Sequence, residues 1–245
     1  MLTKEEIQSL DTNGYLALGQ LLTTDEVDTI NEHIAYLQNT EGEQAGAELF
    51  DSKYIRHPKE EGADRLADLV NKGMLFDVFY THPKVLAAVE AVIGKAYKLS
   101  SLNYRAAKPG KGNQKLHVDW GNSVVQGQYK VCNTIWLLDD FTSTNGATRI
   151  VPGTHKSTLL PDQAMADPSL PHRDQILINA PAGSIFIFNS HVWHGGTTNL
   201  TDKDRRSIHS YFCTREQPQQ IDQKRYIKDE TRQRIGSEGE WILAV

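Results

Sequence analysis

The second half of this chain is cut into short strands, and that limits the folds open to it more than any other feature. Residues 99–106, 130–138, 147–151, 175–179, 184–188 and 205–214 all read as strands, separated by Gly, Pro, Asn and Asp turns. Residues 1–96 read differently. Thr3-x-x-Glu6 has capping-box spacing and opens a helix over 3–10, which Asp11 to Gly14 breaks before a short strand at 15–18. A second helix starts at Thr24, with Val27, Ile30, Ile34 and Leu37 along one face, and ends near 40–42. Leu66, Leu69, Val70 and Leu75 are helical in period. His82-Pro83 starts a further helix whose buried stripe is Val85, Leu86, Val89, Val92 and Ile93, with Gly94 as its stop.

Helices first and strands afterwards predict an α+β arrangement, and many short antiparallel strands predict a double-sheet jelly roll. We expect one domain over 1–245: a mainly helical buttress at 1–96, a jelly-roll core at 97–214 and a C-terminal tail at 215–245. In the tail, the apolar patch Trp241-Ile242-Leu243 suggests irregular chain or a short helix packed on the outside. The mixed segment 49–61, with Tyr54, Arg56 and His57, reads as an exposed loop or a substrate lid. The proline-containing loop 157–173 is expected at the barrel mouth.

A length of 245 residues suffices to bury a core without staples. The net charge is −5 and no basic tract stands out, which argues against a nucleic-acid partner. No window approaches the ~18 apolar residues of a spanning helix. The charged start, Met1 to Glu6, lacks an apolar signal core, so a cytoplasmic location is expected. The two cysteines, Cys132 and Cys213, lie in strand-like runs and read as buried reduced thiols.

Chemistry concentrates in three places. In Lys115-Leu-His117-Val-Asp119, an imidazole and a carboxylate two residues apart would share one face of an extended chain. They make two thirds of a two-His-one-carboxylate set, which leaves open positions on a non-haem Fe(II). A third ligand is sought in His191-Val-Trp-His194-Gly195-Gly196, at the end of the apolar run Ile185 to Phe188. Either histidine also reads as an ordinary strand-end residue. The glycines there allow close backbone approach or a turn with positive φ. Third, Arg205-Arg206 opens a strand on which the two side chains must face opposite ways, so only one can grip a buried carboxylate.

Taken in order, His117-x-Asp119, His194-Gly195 and Arg205 resemble the phytanoyl-CoA dioxygenase family of Fe(II)- and 2-oxoglutarate-dependent oxygenases. Lys108-Pro-Gly110 and the segment from Asn145-Gly146 to Pro152-Gly-Thr-His155 resemble its linker motifs. The resemblance runs from about Tyr97 to Tyr211. It implies a double-stranded β-helix of cupin type, Fe(II) on His117, Asp119 and His194, and 2-oxoglutarate clamped by Arg205. It also places Tyr104 and Asn133 where relatives touch the cosubstrate. Some members carry a Trp where this chain has Asn133. His155 is read as a turn histidine outside the ligand set. With O2, such a site oxidises a small-molecule substrate and releases succinate and CO2. Halogenating relatives lack the carboxylate, so Asp119 implies hydroxylation, with desaturation, epimerisation or ring formation open to the same site. Two other classes remain to be weighed: a non-catalytic jelly-roll binding or sensor protein, and a cupin-type metal isomerase or hydrolase without 2-oxoglutarate. The intact four-residue set argues against the first. Arg205 argues against the second, which needs no dicarboxylate clamp. Oligomeric state is not readable.

Overall fold

A computed structural model of the protein describes residues 1–50, 61–120 and 125–245. In chain order the elements begin α1 (Lys4–Asn13), β1 (Tyr15–Gln20), α2 (Thr24–Glu41), α3 (Ala47–Phe50), β2 (Ala63–Leu66), α4 (Val78–Thr81) and α5 (Pro83–Ile93). Then follow β3 (Tyr97–Ala107), β4 (Val131–Leu137), β5 (Thr148–Val151), α6 (Pro161–Ala164), β6 (Ile176–Leu177), β7 (Ser184–Asn189), β8 (Trp193–Gly196) and β9 (Arg205–Thr214). The chain closes with α7 (Gln223–Tyr226) and α8 (Asp229–Leu243). The expected helix starts hold. Thr3 and Glu6 form a reciprocal capping box, Pro83 stands at the first turn of α5, and Gly94 ends it at φ 81°.

Two antiparallel sheets face each other as a double-stranded β-helix. The larger has the order β1-β7-β4-β9-β3-β2 and the smaller β6-β5-β8. The helices cover the outer face of the large sheet, and its strands alternate accordingly. In β7, Ile185 and Ile187 pack under the helices while Phe186 and Phe188 point between the sheets. Both faces are buried, which is why this strand reads as one unbroken apolar run. In β9, Ile208 and Phe212 join the helical layer, and Arg205, His209 and Tyr211 line the inner cavity.

β3 keeps this alternation only through a bulge between Leu99 and Ser101. Before it Tyr97 and Leu99 face the helices; after it Leu102, Tyr104 and Ala106 do. The bulge leaves Ser101, Asn103 and Arg105 on the cavity side. The tail segment stitches to the same point: Ile221 N donates to Ser100 O at 3.0 Å, and Gln220 N to Ser100 Oγ at 2.8 Å.

Several expectations need correction. The large sheet draws its outer strands β1 and β2 from before residue 97, so the barrel reaches beyond 97–214. Leu66 belongs to strand β2, and Leu69, Val70 and Leu75 lie in short 3-10 turns, because their spacing fits buried turns as well as a helix. The tail carries the 15-residue α8, whose Ile242 and Leu243 enter the main core. Tyr54, Arg56 and His57 of the suspected lid lie outside the described residues. Among the described residues, no helix is long and apolar enough to cross a membrane.

Candidate metal centre

His117 and Asp119 do not sit on a regular strand. Their segment adds to the small sheet through a single antiparallel bridge, His117 to His194, with N···O distances of 2.9 and 3.0 Å. Asp119 N then donates to Ser190 O at 2.9 Å. This close lay explains the two glycines after His194. A Cβ on Gly195 would lie 3.0 Å from the carbonyl oxygens of Gln114 and Lys115, and one on Gly196 would lie 2.5 Å from Gly112 O. Neither glycine is among those with positive φ, so close approach is the reason for them.

The bridge brings three ligand atoms within 4.8 Å of one another, one each from His117, Asp119 and His194. Among the described residues, no other cluster of three such groups converges this way. His194 Nε2 stands 3.4 Å and His117 Nε2 3.8 Å from Asp119 Oδ1, and the two rings lie 4.5 Å apart. Each ring is oriented through its other nitrogen: His117 Nδ1 donates to Lys115 O and His194 Nδ1 to Val192 O, both at 2.9 Å. A carbonyl only accepts, so Nδ1 carries the proton, and in the neutral ring Nε2 turns a bare lone pair toward the carboxylate.

Burial opposes the charge on Asp119. The neighbouring His194 and His117 and the Asn133 amide outweigh it and hold the carboxyl well below the usual range. Burial likewise opposes protonation of His194, yet the Asp119 carboxylate and the Val192 carbonyl raise it. Three groups thus compete for a cation among themselves.

The other predicted residues divide. Arg205 is 1% exposed and lines the same cavity. Its guanidinium lies 4.3 Å from the Phe141 ring centroid and donates to Ser207 Oγ at 3.2 Å. Arg206 points the other way and is bound to Asp139, with Nε–Oδ2 at 3.0 Å. Asn133 reaches the cavity, where its Nδ2 donates to Asp119 Oδ2 at 3.3 Å while its Oδ1 accepts from Thr134 N at 2.8 Å. It therefore braces the carboxylate. Tyr104 is not brought to the site: strand alternation after the β3 bulge turns it into the helical core. His191 is engaged elsewhere, its Nε2 accepting from Lys130 N at 3.1 Å, and burial pushes it down to about 4. His155 sits in its turn against Asp11 O at 3.0 Å.

Two features escaped the sequence reading. Tyr211 donates its hydroxyl to the Asp119 carbonyl at 3.1 Å. Arg149, 2% exposed, donates to the carbonyls of Gln114, Pro168, Ser169 and Leu170 at 2.7–3.3 Å. It ties the His117 segment to the loop at 168–170. The only signal for Arg149 was its place in the Asn145 to His155 segment, which says nothing of its partners.

Comparisons with known proteins agree with this picture. An uncharacterized protein of Mycobacterium tuberculosis, Rv1501, is 30% identical over 186 residues, 69% of this chain and 66% of its own length. The chain thus spans just under two thirds of that relative. Dioxygenase FUM3 of Gibberella moniliformis is 27% identical over 226 residues, 85% of this chain and 71% of that protein. Among solved structures, HygX from Streptomyces hygroscopicus, with nickel, 2-oxoglutarate and hygromycin B bound, superposes with a TM-score of 0.69 at 18% identity. That match covers 89% of this chain and 90% of HygX, and it shows a shared fold. The family model described as phytanoyl-CoA dioxygenase (PhyH) matches residues 10–207, and the chain belongs to that family.

Proposed function

We propose that the protein is a non-haem dioxygenase that takes Fe(II), 2-oxoglutarate and O2 and hydroxylates a small metabolite or natural-product intermediate, releasing succinate and CO2. One observation carries this reading: two imidazole Nε2 lone pairs and a carboxylate oxygen converge within 4.8 Å. Lone pairs facing an anion repel unless a cation lies between them, so the donor set fits a divalent ion. Two nitrogens and one oxygen on one side suit Fe(II) in particular. Bound there, iron supplies the activation of O2 that couples decarboxylation of 2-oxoglutarate to oxidation of the substrate.

The chain's own residues do the positioning. His117, Asp119 and His194 are the proposed ligands, held in orientation by Lys115 O, Asn133 and Val192 O. Arg205 is the proposed clamp for the far carboxylate of 2-oxoglutarate, since a planar fork matches that group and burying it unpaired is costly. The Phe141 face against the guanidinium keeps that end dry. The FUM3 relative carries the name of a dioxygenase, and the HygX structure holds 2-oxoglutarate and a small molecule; both support this reading.

Anaerobic titration of the Fe(II) protein with 2-oxoglutarate tests it. A metal-to-ligand charge-transfer band should appear, and succinate should follow when O2 is admitted. Asp119→Ala should lose both. A wild-type protein with neither band nor succinate would sink the proposal.

A further inference from the structure

On the outer side of the small sheet a buried cation is held by carbonyl oxygens. In β5, Thr148 lines the cavity and Ile150 packs between the sheets, so Arg149 points the other way. Its ladder partner is Gly195, over which the chain at Gln114 and Lys115 is laid. Burial pulls the guanidinium below its usual range, and no charged neighbour offsets it. Its hydrogen bonds go to main chain. Nη2 donates to Gln114 O at 2.7 Å and to Pro168 O and Ser169 O at 3.3 Å, and Nη1 donates to Leu170 O at 2.9 Å.

A buried charge without a counter-charge is costly, and an apolar side chain beside Leu116, Val151 and Trp193 would avoid that cost. What the planar fork does, and an apolar group could not, is hold 114–116 and 168–170 together. Leu116 N, donating to Pro168 O at 2.8 Å, ties the same two segments. The first of them leads straight into the metal centre. One residue after the Gln114 carbonyl stands that of Lys115, which accepts from His117 Nδ1 at 2.9 Å. Arg149 therefore fixes the carbonyl next to the one that orients the His117 ring. The His194 ring takes its orientation from Val192 O, to which Arg149 does not donate.

We propose that Arg149 is a positioning residue for the His117 half of the metal centre, acting through Gln114 and Lys115 and leaving the His194 half alone. It does not line the cavity and touches neither metal nor cosubstrate. This rests on the reading of His117, Asp119 and His194 as ligands, and it extends that site to a residue on the far side of the small sheet.

Two measurements on the folded protein test it. The first is Mn(II) affinity by competition with a chelator. Arg149→Met, similar in length but without donors, should weaken Mn(II) at least tenfold. Arg149→Lys, which keeps the charge but not the fork, should recover part of that loss. Phe212→Ala serves as the control for lost stability alone, and its Mn(II) affinity should match the wild type. The second measurement is made on the metal-free protein in mildly alkaline buffer, where the imidazoles are neutral. Long-range 1H–15N correlation spectra report which ring nitrogen carries the proton. In Arg149→Met, His117 should drift from the Nδ1–H form toward the mixture of a free imidazole, while His194 keeps its Nδ1–H form. A residue that only added stability would move neither ring in the folded protein. If Arg149→Met does not fold, Arg149→Lys carries both measurements, with at least threefold weaker Mn(II) binding expected. Wild-type Mn(II) affinity with an unchanged His117 ring in the folded variants would overturn the proposal. So would equal disturbance of His117 and His194. If the wild type itself binds no Mn(II), the metal reading fails, and the metal-free spectra still decide whether Arg149 orients His117.

Discussion

The two faces of the large sheet are made by the same strands and answer to different demands. Tyr211 and Phe212 are neighbours in β9. Phe212 is fully buried under the helices, edge-on to Tyr97 with ring centroids 6.0 Å apart. Tyr211 faces the cavity and holds the Asp119 carbonyl. The outer face is nearly all hydrocarbon and its worth is counted in area and fit. The inner face is apolar along Ile135, Leu137, Phe186 and Phe188, and elsewhere carries histidines, arginines and amides whose worth is counted in orientation. In this molecule stability and chemistry are sorted by the parity of a strand, so neighbouring residues can fail in different ways.

Substitutions can break or sharpen that contrast. The largest effect is expected from Phe212→Ala, which should cost about 3–5 kcal/mol of folding stability by opening a cavity in the helical layer. Denaturant unfolding measures it, and the folded fraction should still bind Mn(II) as the wild type does. Lost metal affinity in that fraction would mean the faces are not independent. Next, Arg205→Ala should weaken 2-oxoglutarate binding by about 2–5 kcal/mol, the range for truncating one partner of a buried charged pair. Arg206→Ala, on the outer side, should leave that affinity alone and lower stability by about 1 kcal/mol through its lost pair with Asp139. Anaerobic charge-transfer titrations of the two variants decide between them. Normal affinity in Arg205→Ala would remove the clamp assignment.

A smaller change is expected from Asn133→Ala. Removing a brace of a metal-binding carboxylate typically costs about 10–100-fold in metal affinity. Competition with a chelator reads this directly, and an unchanged constant would reduce Asn133 to a strand residue. The smallest and most diffuse effect concerns pH. Burial and the nearby Arg105, Arg205 and Arg65 push His209 down to about 3, and burial pushes His191 down to about 4. Both bind protons more readily in the unfolded chain. The stability they contribute is whole above about pH 6.5 and drains away as pH falls toward 4 and then 3. His209→Gln should flatten the acid limb of a stability-versus-pH curve, and an unaltered slope would show that His209 is not held neutral.

Much of this was legible in the sequence where local rules act alone. Thr3 with Glu6, Pro83 and Gly94 fixed helix ends, and the unbroken run Ile185 to Phe188 marked a strand covered on both sides. His117, Asp119, His194 and Arg205 could be singled out because their spacing resembles a family pattern, and the fold brings all four to one cavity. What stayed hidden depends on partners far away in the chain. Gln220 meets Ser101 across 119 positions, and nothing near either residue announces it. Arg149 is hydrogen-bonded by backbone carbonyls, which leave no trace in composition. Tyr104 was misplaced because the resemblance assigned it by its place before Lys108, whereas the parity of β3 after its bulge turns it into the helical core. Leu66 was taken for part of a helix because apolar spacing alone cannot separate a short edge strand and two 3-10 turns from one irregular helix.

The bulge in β3 makes the lining of the cavity a matter of counting. A chain shortened by Ser100 alone would have nearly the same composition and the same strand. From that point on, however, Leu102, Tyr104 and Ala106 would point inward, and Ser101, Asn103 and Arg105 would lie beneath the helices. One residue of chain length therefore acts as a phase setting for everything after it. It decides whether this wall of the barrel is lined by polar side chains or by apolar ones. A chain that differed by a single insertion or deletion at this point would keep the same strands and yet present the opposite wall to the cavity.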